Sequence, residues 1–354
     1  MASPAKQLIL TWYPTMMATK NDSWKIGYIL LLIALPVLAL LFSLCVGRYI
    51  VSVPDVFRAV LSRFSDGFEV SKLSYITIWN VRLPRILLAF VVGSALSCAG
   101  LLFQSLFQNP LATPDTLGVA GGSSFGAVLS ILLGFSLIPM QLVSFGFGCL
   151  AVFLTILAAK GKDQAMNTIV LSGIIMGSLF SALVSLVKFT ADQEQQLPSI
   201  TYWLMGSLQS ATYSSLLIGV IPIALSLTVL FLLRWRLNLL LLSEEESCSS
   251  GVNMPRLRMI AILCATIATA SSISMCGQVG WVGLIVPHMC RMVFGNDHRH
   301  LIPACISFGG TFLIIVDTLA RSMTAAELPI SILTAIIGAP FFIFLMRKKG
   351  GWSL

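Results

Sequence analysis

Charge is scarce in this chain of 354 residues: 10% of it is Asp, Glu, Lys or Arg, against 57% hydrophobic. Soluble domains carry about 25% charged residues, so a water-soluble globule is excluded and a polytopic membrane protein is indicated. The formal charge of +8 does not point to nucleic acid, because the basic residues are dispersed among short loops instead of forming a patch. Catalytic signatures are missing too. No Walker A phosphate cradle, HExxH or nucleophile–base pattern occurs, which argues against an ATPase and against a membrane-embedded enzyme. No Asp, Glu, Lys or Arg is expected well inside a span, which argues against a proton-coupled carrier. No cleavable signal is expected, since the first apolar segment is too long for an h-region and lacks an A-x-A exit. No cofactor is expected.

Eight cysteines are present without a CxxC, and seven lie in or beside apolar runs, where small buried hydrophobes belong. Apolar segments dominate the rest. They predict an all-α integral membrane protein of ten transmembrane helices at 26–46, 86–107, 117–135, 137–159, 168–187, 213–233, 259–276, 279–294, 301–319 and 329–346. Residues 1–25 read as a cytoplasmic lead, 26–346 as the membrane domain and 347–354 as a cytoplasmic tail. Residues 234–258 form a cytoplasmic loop within that domain. Trp24, Trp79, Trp203, Trp235 and Trp281 fall near span ends, as interfacial anchors do.

Lys and Arg counts set the orientation. Fourteen lie on the side of the termini and eight on the other, six of those eight between residues 47 and 85. Both termini are therefore expected in the cytoplasm. The loop 47–85 opposes the rule, which suggests a task such as docking.

Four places carry candidate chemistry. Arg82 and Arg85 flank Pro84 at the mouth of the second span, and Arg321 is expected in the last outer loop. They read either as snorkelling anchors or as forks for the carboxylates of a partner. The segment Gln108-Asn109-Pro110-Leu111-Ala112-Thr113-Pro114-Asp115 must break a helix. It is either a plain turn or a constriction narrowed by Asn109 and Leu111, because broken backbone in a membrane has to be covered by protein or water. Glycines then follow at 118, 121, 122 and 126, allowing close helix approach. In the inner loop, Leu242 precedes Ser243, a possible cap for a helix opening on Glu244, Glu245 and Glu246 and stopping at Gly251. His298 and His300 sit with Asp297 and Arg299 in an inner loop, where solvation is expected and no metal site is indicated.

These stretches resemble the permease subunits of prokaryotic ATP-driven importers for ferric siderophores, haem and cobalamin. The resemblance rests on RLPR at 82–85, FQNPLATPDTLGVAGG at 107–122, GWVGLIVPH at 280–288, and AELPI at 326–330 running to GAPF at 338–341. It implies short cytoplasmic coupling helices and a transport path between two permease subunits. It further implies cytoplasmic ATP-binding-cassette ATPase subunits, an extracytoplasmic binding protein, and a second permease that is either another copy or a paralogue. Location would be the bacterial or archaeal cell membrane, the inner one where two exist. Arg82, Arg85 and Arg321 would dock the binding protein. Asn109, Leu111, Asn167 and Thr168 would form a cytoplasmic gate, and Leu242 to Glu246 with Gly251 would couple to the ATPase. A secondary transporter without an ATPase is the alternative.

Overall fold

The computed structural model describes residues 22–63, 70–160, 166–242, 246, 251–324 and 326–347. Helices account for the ordered elements, and no strand occurs among the described residues. They are α1 (Asp22–Cys45), α2 (Val53–Leu61), α3 (Lys72–Ile76), α4 (Leu83–Leu106), α5 (Val119–Leu132), α6 (Leu137–Ala158) and α7 (Met166–Thr190). After them come α8 (Gln196–Leu204), α9 (Tyr213–Leu233), α10 (Met254–Cys276), α11 (Val282–Phe294), α12 (His298–Met323) and α13 (Ile330–Arg347). Short 3-10 helices occupy Pro114–Leu117 and Arg236–Leu241.

Each of the ten expected spans falls on one helix. Seven segments have the length and apolarity to cross a bilayer, while Val119–Leu132, Val282–Phe294 and Ile330–Phe344 are shorter apolar helices. The first helix begins at Asp22 instead of residue 26. The segment 47–85 is no simple loop, for it holds α2, α3 and a π-helical stretch at Thr77–Arg82 that runs straight into α4. The wide turn has a local cause. Pro84 has no N–H to donate and its ring would strike the carbonyl four residues back. The helix opens there, and the Leu83 N–H reaches back to the Ile78 carbonyl.

Burial ranks the helices. In the segments Lys72–Leu106, Met254–Cys276 and His298–Met323, which contain α4, α10 and α12, 83%, 78% and 72% of an apolar 18-residue stretch is buried, whereas for α1, α6, α7 and α9 the share lies between 17% and 39%. The buried three form the centre, with α4 packed on α12, α10 and α11. Many of their buried polar side chains are small, and Thr269 and Ser272 each donate to the carbonyl four residues earlier. Two close crossings set the spacing. Gly93 of α4 faces Gly309 of α12, and Gly100 of α4 faces Gly283 of α11. At each, a Cβ on the α4 glycine would collide with the opposing carbonyl oxygen. Only glycine lets the backbones meet this way.

A backbone collision cannot be relieved by rotating a side chain. Gly100→Ala is therefore expected to cost about 1–3 kcal/mol. Gly146→Ala on α6, where an added Cβ meets nothing, is expected to be neutral. Thermal unfolding of the detergent-solubilised protein checks this, and equal midpoints for the two variants would remove the crossing as a constraint.

Candidate functional site

The helices α4 and α12 run antiparallel, and polar clusters close the pair at both ends. At one end Arg85 meets Asp317, and at the other Ser105 meets His298. The two contacts are separated by nineteen or twenty helical residues, roughly 30 Å, the thickness of a hydrocarbon core.

The first cluster gathers all three arginines expected on the outer face. They are buried, at 2%, 6% and 7% exposure for Arg82, Arg85 and Arg321. This corrects their expected position on an open surface. Arg321 also lies in the last turn of α12 and not in a loop. Arg85 Nε donates to both Asp317 oxygens at 2.9 and 3.0 Å, and its Nη1 donates to Glu327 Oε2 at 2.8 Å. Arg82 donates to the Leu44 and Tyr49 carbonyls, and Arg321 to the Ser43 carbonyl and hydroxyl. Ser43 and Leu44 lie in the last turn of α1, where helix carbonyls lack partners and the dipole favours a cation, and Tyr49 lies just beyond it. The arginines thus join α1, α4 and α12. Asp317 escaped notice in the sequence because it ends an apolar run. Its spacing of four from Arg321 was the available signal.

At the opposite end, α4 stops in a Schellman pattern: Asn109 N donates to the Gln104 carbonyl and Gln108 N to that of Ser105. The left-handed position that glycine usually fills is held by Gln108, at φ 47°. Its side chain reaches the Leu240 and Leu242 carbonyls, both at 3.4 Å, which is long for a hydrogen bond. Asn109 Oδ1 accepts from Leu111 N at 2.9 Å and shapes the break. Asn109 and Leu111 are exposed, and so are Asn167 and Thr168 at the start of α7. The helix α7 packs on the Pro114–Leu117 turn at Gly173, whose added Cβ would strike the Thr116 carbonyl. No hydrogen bond joins the two pairs among the described residues.

Beside this break lies Arg236–Leu241 with exposed Leu242 after it. Ser243, Glu244 and Glu245 lie outside the described residues. Glu246 is exposed, and Gly251 adopts a left-handed φ of 70°.

The expectation that His298 is solvated is corrected: it is 1% exposed. Asp297 caps α12 by accepting from Arg299 N at 2.9 Å, and that cap turns the next side chain into the bundle. An aspartate four residues before the apolar run that opens at Leu301 was the signal. Burial raises the Asp297 pKa. Bonds from the Arg299 side chain, Asn238 and the Arg299 N–H outweigh it and hold the carboxyl at about 2. Nearby, Arg291 donates to Gln104 Oε1, while its Nη2 has no hydrogen-bond partner among the described residues. His288 packs against Phe341 and Phe342, and His300 is partly exposed.

A central helix pair bounded by polar ends, wrapped by apolar helices, defines a multi-pass membrane protein with no catalytic constellation among the described residues. The chain belongs to the FecCD transport family, whose model matches residues 32–348. It is 42% identical over 322 residues to the molybdate import system permease protein of Haemophilus influenzae, covering 90% of this chain and 95% of that protein. It is 37% identical over 298 residues to a "Probable iron chelatin transport system permease protein" of Helicobacter pylori, covering 84% and 90%. Other relatives are named for haemin import in Yersinia pestis and cobalamin import in Halobacterium salinarum, at 35% and 36% identity. A solved structure described as "An inward-facing conformation of a putative metal-chelate type ABC transporter" superposes with TM-score 0.83 at 39% identity, covering 93% of this chain and all of that one.

Asp317→Asn leaves the Arg85 guanidinium beside a weaker partner in a buried site. Removing one member of a buried pair costs about 3–5 kcal/mol, whereas replacing both by apolar groups is often neutral. The single variant should unfold at distinctly lower temperature in detergent, and Arg85→Met with Asp317→Leu should recover most of the loss. A single variant as stable as the parent would show that the pair holds nothing together.

Proposed function

We propose that this chain is the membrane permease subunit of an ATP-binding-cassette importer that carries a metal chelate into the cytoplasm by alternating access. A ferric siderophore is the first substrate class, with haem and cobalamin next. Molybdate joins them because one relative is named for it. The observation that carries the reading is the family match across nearly the whole described chain, 32–348. ATP hydrolysis would belong to separate cytoplasmic ATPase subunits, substrate delivery to an extracytoplasmic binding protein, and the path to the boundary with a second permease. All ten apolar helices would cross or enter the bilayer of a prokaryotic cell membrane, with both termini in the cytoplasm.

In this reading the Arg82, Arg85 and Arg321 end faces outward. Their burial favours a role in shaping the docking face from beneath, with Glu327, 17% exposed against 1% for Asp317, nearest to an arriving partner. The Leu242–Gly251 segment is the coupling surface. Asn109, Leu111, Asn167 and Thr168, exposed in the single chain, would close the cytoplasmic end of the path.

Proteoliposomes carrying the permease, its ATPase and its binding protein should take up one of the four ligands only when ATP is inside with the ATPase. Uptake without ATP, or of none of the four, would overturn the assignment. Leu111→Ala and Asn109→Ala should make the liposomes leak a small solute without ATP, or make hydrolysis less dependent on the binding protein. Tight liposomes with unchanged coupling would move the gate elsewhere.

A further inference from the structure

Between the proposed coupling segment and the broken end of α4 lies a chain of hydrogen bonds, part-buried at Asn238 and fully buried at Ser105. Asn238, in the 3-10 helix Arg236–Leu241, donates from Nδ2 to Asp297 Oδ1 at 2.8 Å. Its other side-chain atom, Oδ1, can then only accept. It lies 2.8 Å from the His298 backbone nitrogen and 2.9 Å from His298 Nδ1. The ring proton therefore sits on Nδ1. Nε2, the remaining ring nitrogen, is free to accept from the Ser105 hydroxyl at 2.9 Å. Ser105 is the last buried polar residue of α4 before the helix ends and the chain turns through Gln108, Asn109 and Leu111.

Asn238 is held by the capping carboxylate of α12 and His298 by two elements at once. Ser105 has one hydroxyl proton, for which the Leu101 carbonyl, also at 2.9 Å, is the competing acceptor. A second, weaker strand runs alongside through Gln108 to the Leu240 and Leu242 carbonyls. Gln108 keeps a left-handed backbone there, a conformation costing a non-glycine residue about 1–2 kcal/mol. Such strain persists only where surroundings over-determine it.

We propose that Asn238, His298 and Ser105 are positioning residues that transmit displacement of the 236–242 segment to the break at 108–111. Gln108 steadies the same joint. The three touch neither substrate nor nucleotide. Their task is to make the coupling surface and the gate move as one body. The proposal rests on the coupling and gating roles assigned above, but it can fail separately from them.

The test has two arms. In the permease alone, on a background with the native cysteines replaced by alanine, spin labels at Leu111→Cys and Leu242→Cys, both exposed in the parent, report the joint by their distance distribution. Asn238→Ala and His298→Gln should broaden it. The double variant should broaden it no further than either single, and Asp317→Asn at the far end should leave it unchanged despite its lower stability. In the assembled transporter the same two variants should keep ATP hydrolysis. Ligand imported per ATP should fall by about threefold to tenfold, the scale of coupling along packed networks. Should Asn238→Ala fail to fold, exposed Gln108→Ala serves for it in both arms. An unchanged distribution, equal broadening by Asp317→Asn, or unaltered import per ATP would each overturn the proposal. A wild-type complex that imports nothing would instead sink the importer reading, with the spin-label arm still deciding the link.

Discussion

Everything in this molecule hangs on how closely α4 can approach α12. In a bilayer, lipid tails are as apolar as leucine, so helices do not associate by the hydrophobic effect alone. Contact has to come from backbone proximity and from hydrogen bonds. Gly93 opposite Gly309 supplies the first. Ser94 supplies the second beside them, lying 2.7 Å from both the Phe90 and the Ile306 carbonyls. With that crossing fixed, the register of the pair is fixed as well. One register alone brings Arg85 to Asp317 and Ser105 to His298. The polar clusters are thus consequences of the glycine contact, placed one hydrocarbon thickness apart.

The broad design was legible because apolar length survives without any partner. Ten apolar runs gave ten helices, and the QNPLATPD segment gave the break, since Pro and Gly act locally. Burial of charge was not legible. Arg82, Arg85 and Arg321 looked like surface residues because a sequence does not show that Asp317, Glu327 and the α1 carbonyls arrive beside them. His298 was misread for the opposite reason. The run Asp297-His298-Arg299-His300 is the most polar in its neighbourhood, and polarity suggested water. The cap on Asp297 separates neighbours in sequence, so that His298 points inward while Arg299 lies over the Trp235 ring at 4.3 Å. A tertiary partner decided each case, and no window on one segment contains it.

Charges inside these helices also bear on energy coupling. The sequence suggested that no ionisable group lies well inside a span, yet Asp317 and Arg291 belong to helices, each towards one end of the central pair. Asp317 sits at one boundary with Arg85 closed on it, and Arg291 sits near the other with Gln104. A carboxylate engaged at 2.8–3.0 Å by a guanidinium is structural glue, not a carrier that must load and release protons. That arrangement suits a permease driven through a partner better than one driven by its own titration.

The two ends of the central pair differ in strength, and the difference has a direction. The bonds of Arg85 to Asp317 and Glu327 are between charges, each worth roughly 1.5–3 kcal/mol, while the Asn238–His298 and His298–Ser105 links are between neutral groups, nearer 0.5–1.5 kcal/mol, with only the Asn238 bond to Asp297 assisted by charge. The end with the neutral links also carries the strained Gln108 backbone and the long 3.4 Å contacts. A pair of rigid helices, clamped firmly at one end and crossing on glycines, yields first at the other. Movement imposed on such a body would concentrate where α4 breaks, and the charged end would stay in place as the fixed reference. The asymmetry puts the pliable joint next to the 236–242 segment and the stiff joint beneath the opposite face. That is the order needed if force enters on one side of a membrane and a partner has to be held steady on the other.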